Sequence, residues 1–216
     1  MNRPSAIPDA LARDRPYERG RTALLLVDMQ RIWAEPMLDP AHPLPAESYL
    51  MRRLAEIVIP NQTRLLGAFR EAGENVLHTL IESLTEDGRD RSLDHKLSGI
   101  HVPRGAAEGA IIAPLAPVRN EIVLPKTSSG VFNSTAIDYV LRNLGTRYLV
   151  IAGMVTDQCV DMAVRDAADR GYLVTLVADA CATYSQERHE AALRAFGGYC
   201  WITETAEVLS RLEALA

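Results

Sequence analysis

Six short apolar runs, separated by longer segments, constrain the fold of this chain more than any other feature. The runs occupy residues 22–27, 75–79, 121–125, 148–152, 173–178 and 200–203. Several intervening segments carry apolar side chains at helical spacing, for example Ile137, Val140, Leu141 and Leu144. Successive strand–helix units predict a parallel sheet with helices on both faces and right-handed crossovers. The expected fold class is therefore α/β, with six strands in a three-layer α/β/α architecture.

The rest of the chain fits one domain of this kind. With 216 residues and 48% hydrophobic content, the chain is long enough for a single well-buried core. Residues 1–20 contain three prolines and show no period, so we expect an N-terminal arm followed by one domain over 21–216. Tyr17 is a candidate anchor for this arm on a neighbouring subunit, and a frayed terminus is the alternative. A helical pattern over 48–72 contains Pro60, which should kink or split the helix.

Charge and cysteine usage exclude several classes of protein. The formal net charge is −5, and no basic stripe is visible, which argues against nucleic acid as a partner. The apolar runs are too short to cross a membrane, and the N-terminus lacks the apolar core of a signal peptide, so we expect a cytoplasmic protein. Three cysteines form no paired spacing, which makes a disulfide framework unlikely. Cys181 and Cys200 are expected to be buried packing residues.

Three chemically useful side chains follow apolar runs that are far apart in the sequence. Asp28 closes the first run, Lys126 closes the third, and Cys159 lies just beyond the fourth. The carboxyl ends of parallel strands share one edge of a sheet, where ligands bind in a crevice, so these residues should converge. Taken singly, each has an ordinary interpretation: a strand-end cap, a solvated lysine and a small buried hydrophobe. Together they match the nucleophile, base and third group of covalent catalysis.

The position of Cys159 favours a nucleophile. A strand runs through a turn into a helical pattern here, so the thiol lies at a helix N-terminus, and Asp157 is a candidate cap for that helix. Partial positive charge and unpaired N–H groups at this end predict a lowered thiol pKa and donors for a developing oxyanion. The Asp28 carboxylate can take the thiol proton, and the Lys126 ammonium can hold the resulting thiolate.

Three motifs resemble those of the isochorismatase-like cysteine hydrolase superfamily. They are Leu-Val-Asp-Met-Gln at 26–30, Pro-Lys-Thr-Ser-Ser-Gly-Val-Phe at 125–132 and Gly-Met-Val-Thr-Asp-Gln-Cys-Val at 153–160. The superfamily includes nicotinamidases, N-carbamoylsarcosine, ureidoacrylate and biuret amidohydrolases, and isochorismatases. The resemblance implies the strand order 3-2-1-4-5-6 and a catalytic triad of Asp28, Lys126 and Cys159. It also implies a cis peptide between Met154 and Val155, with the amides of Val155 and Cys159 forming an oxyanion hole.

The histidines do not reproduce a metal site known from this superfamily. Metal-dependent nicotinamidases carry an Asp-x-His motif followed by another histidine in the region after the second strand. Here His78, His95 and His101 have no acidic residue two positions before them. The ligand cluster is therefore incomplete, and we expect no metal and no other cofactor. These histidines are interpreted as ordinary polar residues.

Five residues near the strand ends are candidates for binding substrate: Gln30, Trp33, Glu82, Phe132 and Asn133. An aromatic residue at position 33 suits a pocket wall, and a core or interface tryptophan is the alternative. For the asparagine the alternative is a helix N-cap, and for the glutamate it is a solvated side chain. The polar region 80–119 is a long loop of the kind that often lines a pocket.

A thiolate with an adjacent acid and an oxyanion hole suits acyl transfer to water. The expected function is cleavage of a C–N bond in a small linear amide, carbamoyl or ureido compound through a thioester. One alternative is vinyl-ether hydrolysis of the isochorismatase type, which uses the aspartate and does not need Cys159. Another is a non-enzymatic thiol or scaffold protein of the same fold. A small-molecule substrate is the expected partner, and the resemblance implies a homo-oligomer, either a dimer or a tetramer.

Overall fold

A six-stranded, all-parallel sheet forms the centre of the protein in the computed structural model, which describes residues 12–215. The strand order is β3-β2-β1-β4-β5-β6, which confirms the predicted architecture and topology. The strands are β1 Thr22–Val27, β2 Asn75–Ile81, β3 Ile122–Lys126, β4 Tyr148–Met154, β5 Leu173–Ala182 and β6 Trp201–Thr203. Helices cover both sides of the sheet.

The helices lie between successive strands, except the last, which follows β6. They are α1 Arg31–Ala34, α2 Tyr49–Arg53, α3 Ile59–Ala72, α4 Leu93–Leu97, α5 Val131–Ser134, α6 Ile137–Asn143, α7 Cys159–Asp169, α8 Gln186–Ala195 and α9 Thr205–Glu213. Helices α3 and α9 pack against each other, while α5 contacts both α6 and α7. No helix within residues 12–215 is both long enough and apolar enough to cross a bilayer.

The two central strands, β1 and β4, are buried along their full length and position the candidate site. Their register pairs Val27 with Gly153. Gly153 has φ 142°, and a Cβ there would meet the Val27 carbonyl oxygen at 2.3 Å. Glycine therefore allows the two backbones to approach closely at the point where both strands end. This approach places the end of β4 beside Asp28.

The helical region around Pro60 differs from the prediction in one respect. The chain neither kinks apart nor splits there, because a π-helical turn, Leu54–Val58, joins α2 to α3. Pro60 lies in the first turn of α3, where its missing N–H is tolerated. Gly73 ends α3 in the left-handed conformation, with φ 70°.

The part of the predicted N-terminal arm that the structure describes packs on its own domain. Residues 1–11 lie outside the described residues. Tyr17 is buried, its ring meets Tyr148 edge-on, and its hydroxyl donates a hydrogen bond to Thr175 Oγ1 at 3.1 Å. Glu18 Oε1 accepts hydrogen bonds from Arg147 and from the Tyr148 hydroxyl. Tyr17 therefore anchors residues 12–20 within the same chain, where a contact with a neighbouring subunit was one expectation.

Candidate active site

Asp28, Lys126 and Cys159 converge at the carboxyl edge of the sheet. Lys126 Nζ lies 2.9 Å from Asp28 Oδ2 and 3.4 Å from Cys159 Sγ. Asp28 follows β1, Lys126 ends β3, and Cys159 begins α7 directly after the β4 loop. The prediction that these strand ends would bring the three groups together is thus met by the geometry.

Neighbouring groups hold the carboxylate and the ammonium in place. Thr79, from β2, donates its hydroxyl to Asp28 Oδ1 at 2.8 Å, and Asp28 itself has φ 55°. Lys126 Nζ donates to the Ser128 carbonyl oxygen at 3.0 Å. The lysine side chain is fully buried, and that of the aspartate nearly so. Burial of both charges is tolerable because each is paired and hydrogen-bonded.

The electrostatics of the cluster differ from what the helix N-terminus alone predicts. Burial raises the pKa of the Cys159 thiol to about 12, the Lys126 ammonium opposes this shift, and the Asp28 carboxylate adds to it. The pKa of Lys126 is also raised, because the two acidic partners outweigh a burial that would lower it. The expectation of a lowered thiol pKa is therefore corrected. It left out desolvation and the adjacent anion, and the resting cluster is a protonated thiol beside an ion pair.

The nucleophile turn contains the cis peptide bond expected between Met154 and Val155. Within residues 12–215, no hydrogen-bond acceptor receives the backbone N–H of Val155 or of Cys159. Asp157 does not cap α7, because its carboxylate binds Thr183 and Arg188, and Gln158 is the N-cap. In the first turn of α7 the N–H of Cys159 is consequently left for a ligand beside the thiol, whereas that of Val160 donates to the Val155 carbonyl oxygen.

A cavity opens above the cluster and is lined by both apolar and polar side chains. Its lining residues are Asp28, Ile32, Trp33, Glu35, Asp39, His42, Leu44, Leu50, Met51, Ile81, His95, Ile100, Ser129, Met154, Val155, Gln158, Cys159 and Tyr184. Mostly apolar walls with a few convergent polar groups are typical of small-molecule sites.

Of the five predicted substrate contacts, the structure places only Trp33 in this cavity lining. Gln30 is fully buried, and its amide is used by the backbone. Its Nε2 donates to the carbonyls of Ile81 and Gly109, and its Oε1 accepts from Ile81 N at 2.7 Å. Gln30 therefore joins the end of β2 to the 3₁₀ turn Ala107–Gly109 instead of facing a ligand.

The other three predicted contacts also lie outside the described cavity lining. Phe132 is buried, with its ring under the Arg170 guanidinium and 6.2 Å from the Tyr172 ring. Asn133 is exposed within α5, and so it is not a helix N-cap either. Glu82 follows β2 and accepts the Gly105 N–H at 3.0 Å, which makes it a loop-bracing residue.

His95 is the main cavity residue that sequence reasoning missed. It lies on α4, is fully buried, and its Nε2 is 3.4 Å from Ser129 Oγ. Its Nδ1 is buried and has no partner within the described residues. Burial and the nearby Lys126 lower the pKa of His95, which keeps the ring neutral. The expectation that part of region 80–119 lines the pocket is confirmed by His95 and Ile100.

The interpretation of His95 as an ordinary polar residue is wrong in this respect, because the missing Asp-x-His motif excludes a metal ligand and not a cavity residue. The signal for its position is indirect: the Ser92 N–H binds the Thr127 carbonyl, and the Ser92 hydroxyl caps α4.

In the part of the chain that the structure describes, no three histidine, cysteine, aspartate or glutamate side chains group as metal ligands.

Residues 22–207 match the sequence model of the isochorismatase domain. Together with the sheet topology, this match assigns the class: the chain belongs to the isochorismatase family of hydrolases.

Two curated proteins are similar to parts of this chain. Ureidoacrylate amidohydrolase RutB of Variovorax paradoxus (strain S110) is 40% identical over 86 residues, which are 39% of this chain and 34% of that protein. The uncharacterized isochorismatase family protein YddQ of Bacillus subtilis (strain 168) is 29% identical over 123 residues, 57% of this chain and 62% of YddQ. The matched segments thus span less than two thirds of either relative.

Solved structures extend the likeness over nearly the whole chain. A cysteine hydrolase from Pseudomonas syringae pv. phaseolicola 1448A superposes with a TM-score of 0.81 at 26% identity, covering 94% of this chain and 97% of that one. An N-carbamoylsarcosine amidase from Thermoplasma acidophilum gives 0.67 at 23% identity, covering 86% and 96%. The second likeness concerns the fold alone.

Proposed function

We propose that this protein is a cysteine hydrolase that cleaves a C–N bond of a small linear amide, carbamoyl or ureido compound through a thioester intermediate. The observation that carries the proposal is the contact of Cys159 Sγ with Lys126 Nζ, itself paired with Asp28, at the floor of a cavity. The name of the ureidoacrylate amidohydrolase relative supports the same bond type.

In the proposed first half-reaction, Sγ attacks the substrate carbonyl carbon while Asp28 takes the thiol proton. Proton transfer coupled to attack suits a thiol whose pKa lies well above neutrality, because free thiolate need not accumulate. The developing oxyanion accepts hydrogen bonds from the N–H groups of Val155 and Cys159. Lys126 keeps its proton and stabilises the negative charge that passes between carboxylate and sulfur.

Departure of the leaving group completes this half-reaction, and hydrolysis of the thioester in the second returns the enzyme to its starting state. Asp28 gives its proton to the leaving nitrogen, the C–N bond breaks, and ammonia or an amine departs. The carboxylate then takes a proton from water, which attacks the thioester, and the C–S bond breaks with reprotonation of sulfur. Trp33 and the unpartnered Nδ1 of His95 are the proposed substrate contacts in the wall.

Vinyl-ether hydrolysis is the competing reaction, and it needs proton donation from the aspartate alone. Nothing in that chemistry uses a thiol held within 3.4 Å of the ammonium. A redox sensor or a scaffold protein would not need the buried Asp28–Lys126 pair beside its thiol. The arrangement therefore favours the amidohydrolase.

A screen of small amides, carbamoyl amino acids and ureides for ammonia release tests the proposal. The wild-type protein should hydrolyse at least one compound, and Cys159→Ala should lose activity by several orders of magnitude. Cys181→Ala is the matched control, since Cys181 is an equally buried thiol outside the cavity lining. Activity of Cys159→Ala within about tenfold of wild type would end the thioester mechanism and favour the vinyl-ether reaction.

A further inference from the structure

With histidine counted as neutral, the charged side chains in the cavity wall are all acidic. Asp28, Glu35 and Asp39 contribute to the lining, whereas no lysine or arginine among residues 12–215 does so. A site built to hold a carboxylate normally presents a fixed cation, most often an arginine that binds both oxygens. The described wall has no such group.

Two cations that neighbour this wall already pair with carboxylates that line it. Lys126 lies beneath the cavity and pairs with Asp28. Arg31 binds both oxygens of Glu35, at 2.8 and 3.0 Å. The charges of two of the three lining carboxylates are thereby compensated.

Arg188 is a third cation near the wall. Its guanidinium lies 5.0 Å from the ring centre of the lining residue Tyr184. Its Nε donates to Asp157 Oδ2 at 2.7 Å, so its charge is also compensated. The Arg188 side chain does not itself line the cavity.

Asp39 is the lining carboxylate that remains. Its Oδ1 accepts the Ala41 N–H at 2.9 Å, and within residues 12–215 its one ion-pair partner is His42, with Nδ1 3.6 Å from Oδ2. The histidine is more than half exposed, and the aspartate is largely buried. Asp39 therefore gives the cavity wall a net negative charge in a partly desolvated setting, where charges interact more strongly than in water.

We propose that the cavity selects against anionic substrates, with Asp39 as the specificity-determining residue. This inference rests on the proposed amidohydrolase function and narrows its substrate class. The group remote from the scissile C–N bond is uncharged or a protonated amine. Ureidoacrylate and N-carbamoylsarcosine are both carboxylates, so this chain differs in substrate charge from the relatives named after them. The aromatic faces of Trp33 and Tyr184 suit an alkyl or ammonium group.

Binding to a Cys159→Ala protein tests the inference independently of turnover. Three N-substituted ureas share the ureido group and differ at the far end: propylurea, (2-aminoethyl)urea and 3-ureidopropionate. Titration calorimetry should give a Kd for 3-ureidopropionate that is about tenfold larger, or more, than the Kd for either of the other two ureas. If the ammonia screen finds no turnover, the proposed function fails, but the ratio of these Kd values is still measurable and tests the charge preference separately.

Asp39→Asn in the same background should narrow the Kd ratio, because the amide keeps the Oδ1 acceptor for Ala41 and removes the charge. Glu213→Gln is the charge-matched control. Glu213 is exposed at the end of α9 and lies at the sheet edge opposite the cavity. Its neighbour Leu215 contacts Arg19, which precedes β1, through its carbonyl oxygen. Equal or tighter binding of 3-ureidopropionate, or a ratio unchanged by Asp39→Asn, would overturn the proposal.

Discussion

At the scale of single residues, the environment of Cys159 matters more than its position at the start of α7. A helix N-terminus and an ammonium both favour a thiolate, yet burial and the Asp28 carboxylate raise the thiol pKa to about 12. The resting nucleophile is thus a neutral thiol held beside its base. In the proposed mechanism the thiol loses its proton only as the sulfur attacks the substrate carbonyl.

The reactivity of Cys159 towards iodoacetamide should therefore depend steeply on pH. Because thiolate is the reacting form, we expect the alkylation rate to rise about tenfold per pH unit between about pH 7 and pH 9, without a plateau. Peptide mapping by mass spectrometry after brief labelling measures this rate, with Cys181 and Cys200 as internal comparisons in the same digest. A rate that levels off below pH 9 would show a lowered thiol pKa and contradict the electrostatic account.

The sequence predicted those site residues whose positions depend on strand ends. Asp28, Lys126 and Cys159 each follow an apolar run, so topology alone brings them together. Gln30 has the same sequence context as Asp28, but its amide finds backbone partners 51 and 79 residues away, which no local pattern reveals. The cavity residue Asp39 lies in a loop and His95 on the short helix α4, and the positions of both depend on tertiary contacts.

At the scale of secondary-structure elements, His189 connects α8 to the nucleophile loop. Its Nδ1 lies 2.9 Å from Thr156 Oγ1, and its Nε2 lies 3.0 Å from Arg53 Nη2. Arginine has only donors, so Nε2 must accept and Nδ1 carries the proton given to the threonine. Burial, together with the Arg53 charge, lowers the pKa of His189 to about 4. This neutral histidine holds the loop only while it stays unprotonated.

This linkage predicts a loss of stability in mild acid. Above about pH 6.5 the ring is neutral in both the folded and the unfolded chain, but as pH falls towards 4 only the unfolded chain takes up the proton. The folded state should lose on the order of 2 kcal/mol between about pH 7 and pH 5 from this residue. Denaturant unfolding at both pH values, compared with His189→Gln, measures the contribution. An identical pH dependence in the two proteins would contradict it.

The strands were predictable because each is a compact apolar run, and their order followed from the family resemblance. The cap of α7 was not predictable, since the Asp157 carboxylate has two stronger partners in Thr183 and Arg188. The uninterrupted helix around Pro60 was missed for a similar reason. A π-helical turn is a small rearrangement of backbone hydrogen bonds that leaves no residue pattern behind.

At the scale of the whole molecule, the segment before β1 closes one side of the domain. Tyr17 contacts Tyr148 and Thr175, and the Arg211 guanidinium lies 6.0 Å from its ring centre, so it joins β4, β5 and α9. The core thus begins before the boundary at residue 21 that the sequence suggested. A homo-oligomer stays a prediction from the family resemblance.

Truncation of this aromatic side chain should destabilise the whole domain. Tyr17→Ala removes a buried ring and leaves a cavity, at a cost of about 3–5 kcal/mol, which corresponds to a drop in Tm of roughly 10 °C. Tyr17→Phe, which loses only the hydrogen bond to Thr175, should cost about 1 kcal/mol. Scanning calorimetry compares the variants. A Tyr17→Ala protein that melts within about 2 °C of wild type would mean that the segment is not part of the core.

The proposed mechanism requires that Cys159 forms a covalent acyl intermediate, and detection of that intermediate is its most direct test. Acid quenching during turnover of the best substrate from the amide screen, followed by mass spectrometry of the digest, should reveal the acyl mass on the peptide that contains Cys159. The same peptide should stay unmodified in Asp28→Asn, which lacks the proton acceptor. Steady turnover without an acyl adduct on Cys159, combined with activity that survives Cys159→Ala, would rule out the thioester mechanism.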